Sequence, residues 1–296
     1  MATSGTSIPT TSVVIATTAV AARAAALRRS IASVLAQEPR PAVIVVVNGL
    51  KYDAAMYEEL KAMQAITLVY SEVPSYPAAQ RLGRSHVATP YFCFLDDDDE
   101  LLAGSIAARL AHAQAHPDVA AVVARGYRCI DGVDKPDGAA FPTSDSELLV
   151  SLLRHNWLAS PAALFTTERV GVEFFDGETK YYEWTLLAFR LAAAGRRFGF
   201  VEDYGYRLHE SPVSLSKEGG STLAVPAILH ALQRLSSSAT VRKEIERRLT
   251  HAHHDCSTFE LRRGNRRQAW RHHLASLKGP GGLRYLSYTR HLLAAS

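Results

Sequence analysis

Hydrophobic and polar positions along this chain switch between two periods, and the switching lays out its elements. Residues 11–16 form a short β-branched run, and Leu27, Ile31, Val34 and Leu35 then recur at helical spacing. Residues 43–47 are all β-branched, the pattern of a strand buried on both faces of a parallel sheet. Residues 52–63 read as helix, 66–70 as strand, 78–87 as helix and 91–95 as a fourth strand. Alternation at this spacing predicts βαβ units with right-handed crossovers, and so an α/β fold built on a doubly wound, mainly parallel sheet. A helix carrying Ile106 and Leu110 is predicted to stop near His116-Pro117, before a strand over 119–124. Residues 131–138 read as a turn-rich excursion, 148–157 as helix and 162–166 as strand. A helix over 183–194 is closed by Gly195, and two short strands are expected at 198–201 and 204–209. Glu218-Gly219-Gly220-Ser221 reads as a linker to amphipathic helix. The expected organisation is a catalytic-size domain over residues 1–217 and a helical, basic segment over 218–296.

Composition narrows the classes. The 296 residues are 47% hydrophobic and 21% charged, an ordinary globular balance. No apolar run approaches the roughly 18–20 residues that span a bilayer. The start, Met-Ala-Thr-Ser-Gly-Thr-Ser, lacks a basic region followed by an apolar core, so no secretory signal is expected. Cys93, Cys129 and Cys256 are odd in number and without paired spacing, which supports neither a disulfide framework nor a zinc ribbon and fits a reducing cytoplasm. From Arg234 onward, 13 Lys and Arg face 4 Asp and Glu; this +9 within a net +4 leaves −5 for the preceding residues. Such a basic segment, with Arg262-Arg263-Gly264-Asn265-Arg266-Arg267 ahead of Trp270, predicts peripheral association with an anionic membrane face or a plain solvated surface. No nucleic-acid-binding motif accompanies the charge, so nucleic acid is not expected as a partner.

The chemistry concentrates in residues 91–102, Tyr-Phe-Cys-Phe-Leu-Asp-Asp-Asp-Asp-Glu-Leu-Leu. Four adjacent carboxylates repel one another and lose hydration when the chain packs around them. A strand end tolerates them if they are solvated or if a cation sits on them, and a divalent ion so held keeps open positions for phosphate oxygens. The alternative is an acidic turn capping the next helix. In doubly wound sheets ligands bind beyond the carboxyl ends of the strands, which is where this cluster falls. His251 and Asp255, four apart, lack a second ligand pair for zinc. Neither Gly-x-Gly-x-x-Gly nor Gly-Lys-Ser/Thr is present, which removes the main support for dinucleotide and P-loop readings.

In order, the chain has a Val-Val-Ile-Ala-Thr-Thr strand exit, a Val-Ile-Val-Val-Val-Asn-Gly strand exit, and Pro-Ala-Ala-Gln-Arg-Leu-Gly opening a helix. Phe-Leu-Asp-Asp-Asp-Asp-Glu follows, then a helix ending Phe-Arg-Leu-Ala-Ala-Ala-Gly, then Tyr-Arg-Leu-His-Glu-Ser-Pro. Over residues 11–217 this resembles a family 2 glycosyltransferase of the Rossmann-like GT-A fold. The resemblance implies an inverting transferase that uses a nucleotide sugar, a UDP-sugar above others, with Mn²⁺ or Mg²⁺, on a glycan or lipid-linked acceptor. It implies that Ala16 and Thr17 lie against the base, where Asn48 stands in place of the family's Asp. It places Arg81 near the phosphates and makes Asp96, Asp97 and Asp98 the DxD-type motif, with Asp96, Asp98 and His209 around the metal. It makes Glu183, beside Tyr181, Tyr182 and Trp184, the catalytic base, those rings being either an acceptor platform or core. A catalytically silent nucleotide-binding module and a nucleotidyltransferase remain open alternatives.

Overall fold

The computed structural model describes residues 8–137, 140–177, 181–210 and 220–294. The chain divides into two compact units, Met1–Glu210 and Ser211–Ser296. In the first, β1 (Thr11–Thr17), β2 (Ala42–Asn48), β3 (Ile66–Ser71) and β4 (Tyr91–Asp96) alternate with α1 (Ala24–Leu35), α2 (Ala54–Ala62) and α3 (Tyr76–Ser85). These strands pair in parallel in the order β3-β2-β1-β4. Val13, Val14, Ile15, Val45, Val46 and Val47 are fully buried, as β-branched runs covered on both faces should be. Helix α1 turns Leu27, Ile31 and Val34 inward. Helix α3 comes close enough to the sheet that a methyl group at Gly83 would collide with Val14. Ser75 caps α3 by accepting from the Ala78 N–H at 3.4 Å, so the helix starts at Tyr76, two residues earlier than the hydrophobic pattern indicates.

The other half of the sheet holds β5 (Glu100–Leu101), β6 (Val119–Ile130), β7 (Val133–Pro136), β8 (Ala163–Thr166) and β9 (Arg197–His209), interleaved with α4 (Ser105–Ala115), α5 (Leu148–His155) and α6 (Glu183–Ala193). The full order is β3-β2-β1-β4-β8-β6-β9-β5, with β7 on β6. Strand β8 runs antiparallel to both β4 and β6, while β6 and β9 are parallel. Two expectations change here. The turn-rich stretch is a hairpin: Ile130 faces Val133 across Asp131-Gly132, both at positive φ, the two-residue turn that matches strand twist. The two short strands after α6 are one, β9. Glu202 and Asp203 bulge out between the pairs Val201–Ala124 and Tyr204–Arg125, which interrupts the alternation without ending the strand.

The second unit is helical: α7 (Gly220–Leu235), α8 (Ala239–Arg262), α9 (Arg266–Lys278), a 3-10 stretch (Gly282–Tyr288) and α10 (Thr289–Ala294). Leu229, Leu232, Ile245 and Cys256 form its interior. Of the expected linker, Glu218 and Gly219 lie outside the described residues, while Gly220 and Ser221 open α7. Among the described residues no helix is long and apolar enough to cross a membrane.

Candidate active site

Parallel pairing brings the carboxyl ends of β1, β2 and β4 side by side, with Ala16 opposite Asp96 and Thr17 opposite Val47. The Asn48 side-chain amide donates to the Thr17 carbonyl at 3.1 Å. The Thr17 hydroxyl donates to Asp97 at 2.5 Å and accepts from the Ala19 N–H at 2.9 Å. Arg23, in the 3-10 turn Ala21–Arg23 that leaves β1, donates to both oxygens of Asp97 and lies 3.0 Å from Asp98. The backbone after β4 is held by α1: Arg29 donates to the Asp98 carbonyl at 2.6 Å and Ser30 to the Asp99 carbonyl at 2.5 Å. Asp99 turns the other way and accepts the His209 N–H at 2.9 Å. Glu100 accepts from Arg207 at 2.8 Å and is 3.0 Å from His209 Nε2.

The four aspartates are not equivalent electrostatically. Burial pushes Asp96 up to about 6, and the neighbouring Asp98 and Asp97 add to the rise while a Tyr76 hydrogen bond opposes it. Burial also raises Asp97 against the pull of Arg23, and it raises Asp99 well above the usual range together with Asp96 and Asp98. Glu100 is the opposite case: burial pushes it up, but the Arg207 and His209 hydrogen bonds hold it below the ordinary value. The carboxylate oxygens of Asp96 and Asp98 are hard donors, the type that suits Mn²⁺ or Mg²⁺. Both residues offer that donor type, and Arg23 already stands 3.0 Å from the Asp98 carboxylate. They do not form a closed cage, since no three His, Cys, Asp or Glu side chains converge on one point among the described residues.

From Asp96 the site continues through Tyr76. Its hydroxyl donates to Asp96 at 2.5 Å and sits 3.5 Å from Ser160. Burial, Asp96 and then Glu183 keep the Tyr76 phenol well above its usual pKa, so Glu183 lies within electrostatic reach of the cluster. Glu183 is the first residue of α6, and its Oε1 accepts the Tyr181 N–H at 2.9 Å. Tyr181 and Tyr182 approach it at φ 71° and 61°, a left-handed conformation that non-glycine residues hold only under constraint. Glu183 lines an open cleft of about 350 Å³ with Gln80, Phe175, Asp176, Trp184 and Arg190. Gln80 is only 3% exposed, and its Nε2 has no hydrogen-bond partner among the described residues. A buried donor without a partner carries a desolvation penalty, which sets Gln80 apart among the described residues of the cleft.

The structure therefore brings together Ala16, Thr17, Asn48, Asp96, Asp97 and Asp98, and connects them to Glu183. His209 reaches the same turn, with its backbone N–H on Asp99 and its ring 3.0 Å from Glu100. Arg81 is on the outer side of α3, exposed and paired with Asp176 at 2.5 Å. Trp184 meets Phe94 edge-on at 5.2 Å, which makes its ring partly core. Arg23 and Tyr76 were not expected. Arg23 stands in the 3-10 turn after β1 and Tyr76 opens the helix after β3, and a position just past a strand's carboxyl end is the signal for both.

The family model for glycosyl transferase family 2 matches residues 12–163. Among solved structures, residues 1–349 of S. aureus TarS align with TM-score 0.56 at 12% identity, over 90% of this chain and 88% of that one. The same part of TarS in complex with UDP-GlcNAc gives 0.57 at 11% identity, over 88% of each chain. For the longer S. aureus TarS chain the values are 0.57 and 13%, over 82% of this chain and 43% of that one. At these identities the likeness is one of fold. No curated protein sequence matches this one.

Proposed function

The chain belongs to glycosyl transferase family 2, whose model spans residues 12–163 on the GT-A core, and from that premise we propose that it moves a sugar from a UDP-sugar to a hydroxyl of a glycan or lipid-linked acceptor, with inversion. One observation carries the reading. A continuous line of groups runs from Thr17 and Asn48, through Asp96, Asp97 and Asp98, to Tyr76 and the Glu183 cleft, all beyond the carboxyl ends of parallel strands. That TarS has been solved with UDP and with UDP-GlcNAc supports uracil as the base.

In this reading Thr17 and Asn48 bound the nucleoside, and Arg23 lies on the phosphate side of the site. Glu183 takes the proton of the acceptor hydroxyl as its oxygen bonds to the anomeric carbon and the bond from that carbon to phosphate breaks. A carboxylate fixed at a helix start by the Tyr181 N–H is oriented for this before substrate arrives. Attack from the face opposite the leaving diphosphate inverts the anomeric centre. Asp96 and Asp98 would hold Mn²⁺ or Mg²⁺, which when bound offsets the charge that develops on the leaving diphosphate. The Gln80 amide supplies a hydrogen bond to the sugar or phosphate that fills the cleft.

A second reading, a nucleotide-binding module without turnover, is favoured by one contact: Arg23 already supplies a cation to Asp97 and Asp98. A thermal-shift panel of UDP, GDP, dTDP and CMP, with and without Mn²⁺, on wild type and Asp98→Ala separates the possibilities. Ligand at about 100 times its dissociation constant adds roughly 2.7 kcal/mol of stability. The transferase reading expects UDP with Mn²⁺ to stabilise wild type and not the variant, and expects UDP to be released from a UDP-sugar. Stabilisation without any release, even to water, selects the silent module. No stabilisation by any nucleotide rejects both.

A further inference from the structure

The helical second unit carries an apolar stripe that stays exposed among the described residues. Along the helical stretch formed by Gly282–Tyr288 and α10, Leu283, Leu286 and Leu293 are 76%, 56% and 62% exposed. Their spacing of three and then seven residues puts them on one side, with Arg290 between them. The opposite side of the stretch is fastened. Leu292 is fully buried, Thr289 pairs with His273 Nε2 at 2.8 Å, and Tyr285 stacks on His254 at 3.9 Å. The leucines are therefore displayed by a held scaffold. Helix α9 packs beside this stretch and shows a second exposed stripe, Arg267, Arg271, Leu274 and Lys278, at spacings of four, three and four. Exposed leucine and exposed cation thus alternate over adjoining elements, in the segment that carries +9.

We infer that these two stripes form a docking surface for an anionic lipid bilayer. Leucines at this exposure lose contact with water only by entering an apolar phase, and the flanking Arg and Lys reach the phosphates at its rim. A second copy of the chain fits poorly, because it would press one strongly cationic face on another. The surface stands whether or not the transferase reading holds. Only one further step rests on that reading: a transferase held at a bilayer works on a lipid-linked acceptor rather than a free glycan.

Flotation of the full chain tests the inference, with vesicles of phosphatidylcholine alone or mixed equally with phosphatidylglycerol, at low and high salt. Wild type should float only with the anionic vesicles and should be released by high salt. Leu283→Ser, Leu286→Ser and Leu293→Ser together keep every charge and should weaken partition by at least roughly tenfold. Arg267→Gln, Arg271→Gln and Arg290→Gln together keep every leucine and should abolish the preference for anionic lipid. Equal flotation of the serine variant, or no flotation of wild type on anionic vesicles at low salt, overturns the proposal. So does a dimer in sedimentation equilibrium that the serine variant dissolves, since the stripe then belongs to a second copy. Binding of polyglutamate without vesicle binding reassigns the surface to an acidic protein. Stabilisation by UDP, read on the same samples, tells failure of docking from failure of the transferase reading.

Discussion

At the scale of single residues, the cleft sets a carboxylate, Glu183, on the same wall as a buried amide, Gln80. Gln80 is buried and its Nε2 has no hydrogen-bond partner among the described residues, so under the proposed reading a donor sugar bound in the cleft would supply one. Gln80→Leu keeps the volume and removes the orphan donor. The melting temperature without ligand should hold or rise, while the Michaelis constant for the donor sugar should increase roughly tenfold, the worth of one hydrogen bond. Loss of stability with unchanged kinetics would make Gln80 a packing residue and nothing more. Glu183 makes the complementary case, for its carboxylate accepts the Tyr181 N–H and lines the cleft. Glu183→Gln retains shape and an acceptor oxygen but takes up no proton. Turnover should fall by about 10²–10⁴, the range for general base catalysis, with UDP affinity unchanged in calorimetric titration. A variant that loses nucleotide binding as well would place Glu183 in the binding site instead of at the reacting hydroxyl.

Among elements, α3 controls the site, because it brings Tyr76 and Gln80 inward from a single turn and packs flat on β1 and β2. That approach depends on Gly83, where an added methyl group meets Val14 and Val46. Gly83→Ala should therefore destabilise the first unit by roughly 1–3 kcal/mol through overpacking, even though Ala favours helix more than Gly does. It should also weaken UDP binding; a chemical-denaturation midpoint equal to wild type would show that the helix has room to shift. The parallel half of the sheet was legible in the sequence because strands buried on both faces read as unbroken β-branched runs. Strands β6 and β9 were less so. Gly126, the Glu202-Asp203 bulge and Gly205 break the apolar pattern, although the ladder hydrogen bonds continue past them. Asp131-Gly132 is a two-residue hairpin signal, which the surrounding Asp, Lys and Pro make resemble an irregular loop. The site divides in the same way. Charge concentrated in adjacent residues, as in Asp96–Asp99, is visible along the chain. Arg23 and Tyr76 meet that cluster from positions 74 and 20 residues away, which only the topology decides. Gln80 and Arg81 are neighbours on a helix and so about 100° apart around it, which lets one enter the cleft while the other faces solvent.

For the whole molecule, a net charge of +4 conceals opposed halves, and their buried ionisable groups are opposed as well. In the first unit burial raises Asp96 from 3.8 to about 6 and moves Asp97 and Asp99 in the same direction. The folded state then keeps protons that the unfolded chain has already released, so stability is lost as pH rises from 3.8 through about 6 and regained as it falls. Glu100 pulls the other way but is outnumbered by these three aspartates. In the second unit burial lowers His253, His254, His272 and His273 below 6.5. There the unfolded chain takes up protons first, so stability present above 6.5 is lost as pH falls through the lowered values. Geometry agrees, for His253 Nδ1 and His272 Nδ1 stand 3.0 Å apart, a contact that requires one N–H and one lone pair and that a second proton breaks. Acidification from about pH 7 to about pH 5 should thus tighten one unit and loosen the other. Hydrogen-exchange protection, corrected for intrinsic rates and read by segment without metal or nucleotide, should rise over the turn joining β4 to β5 and fall over α8 and α9. Asp96→Asn should blunt the first change and leave the second intact. Protection that moves in one direction across both segments would mean that the two sets of buried groups do not govern the stability of the elements that carry them.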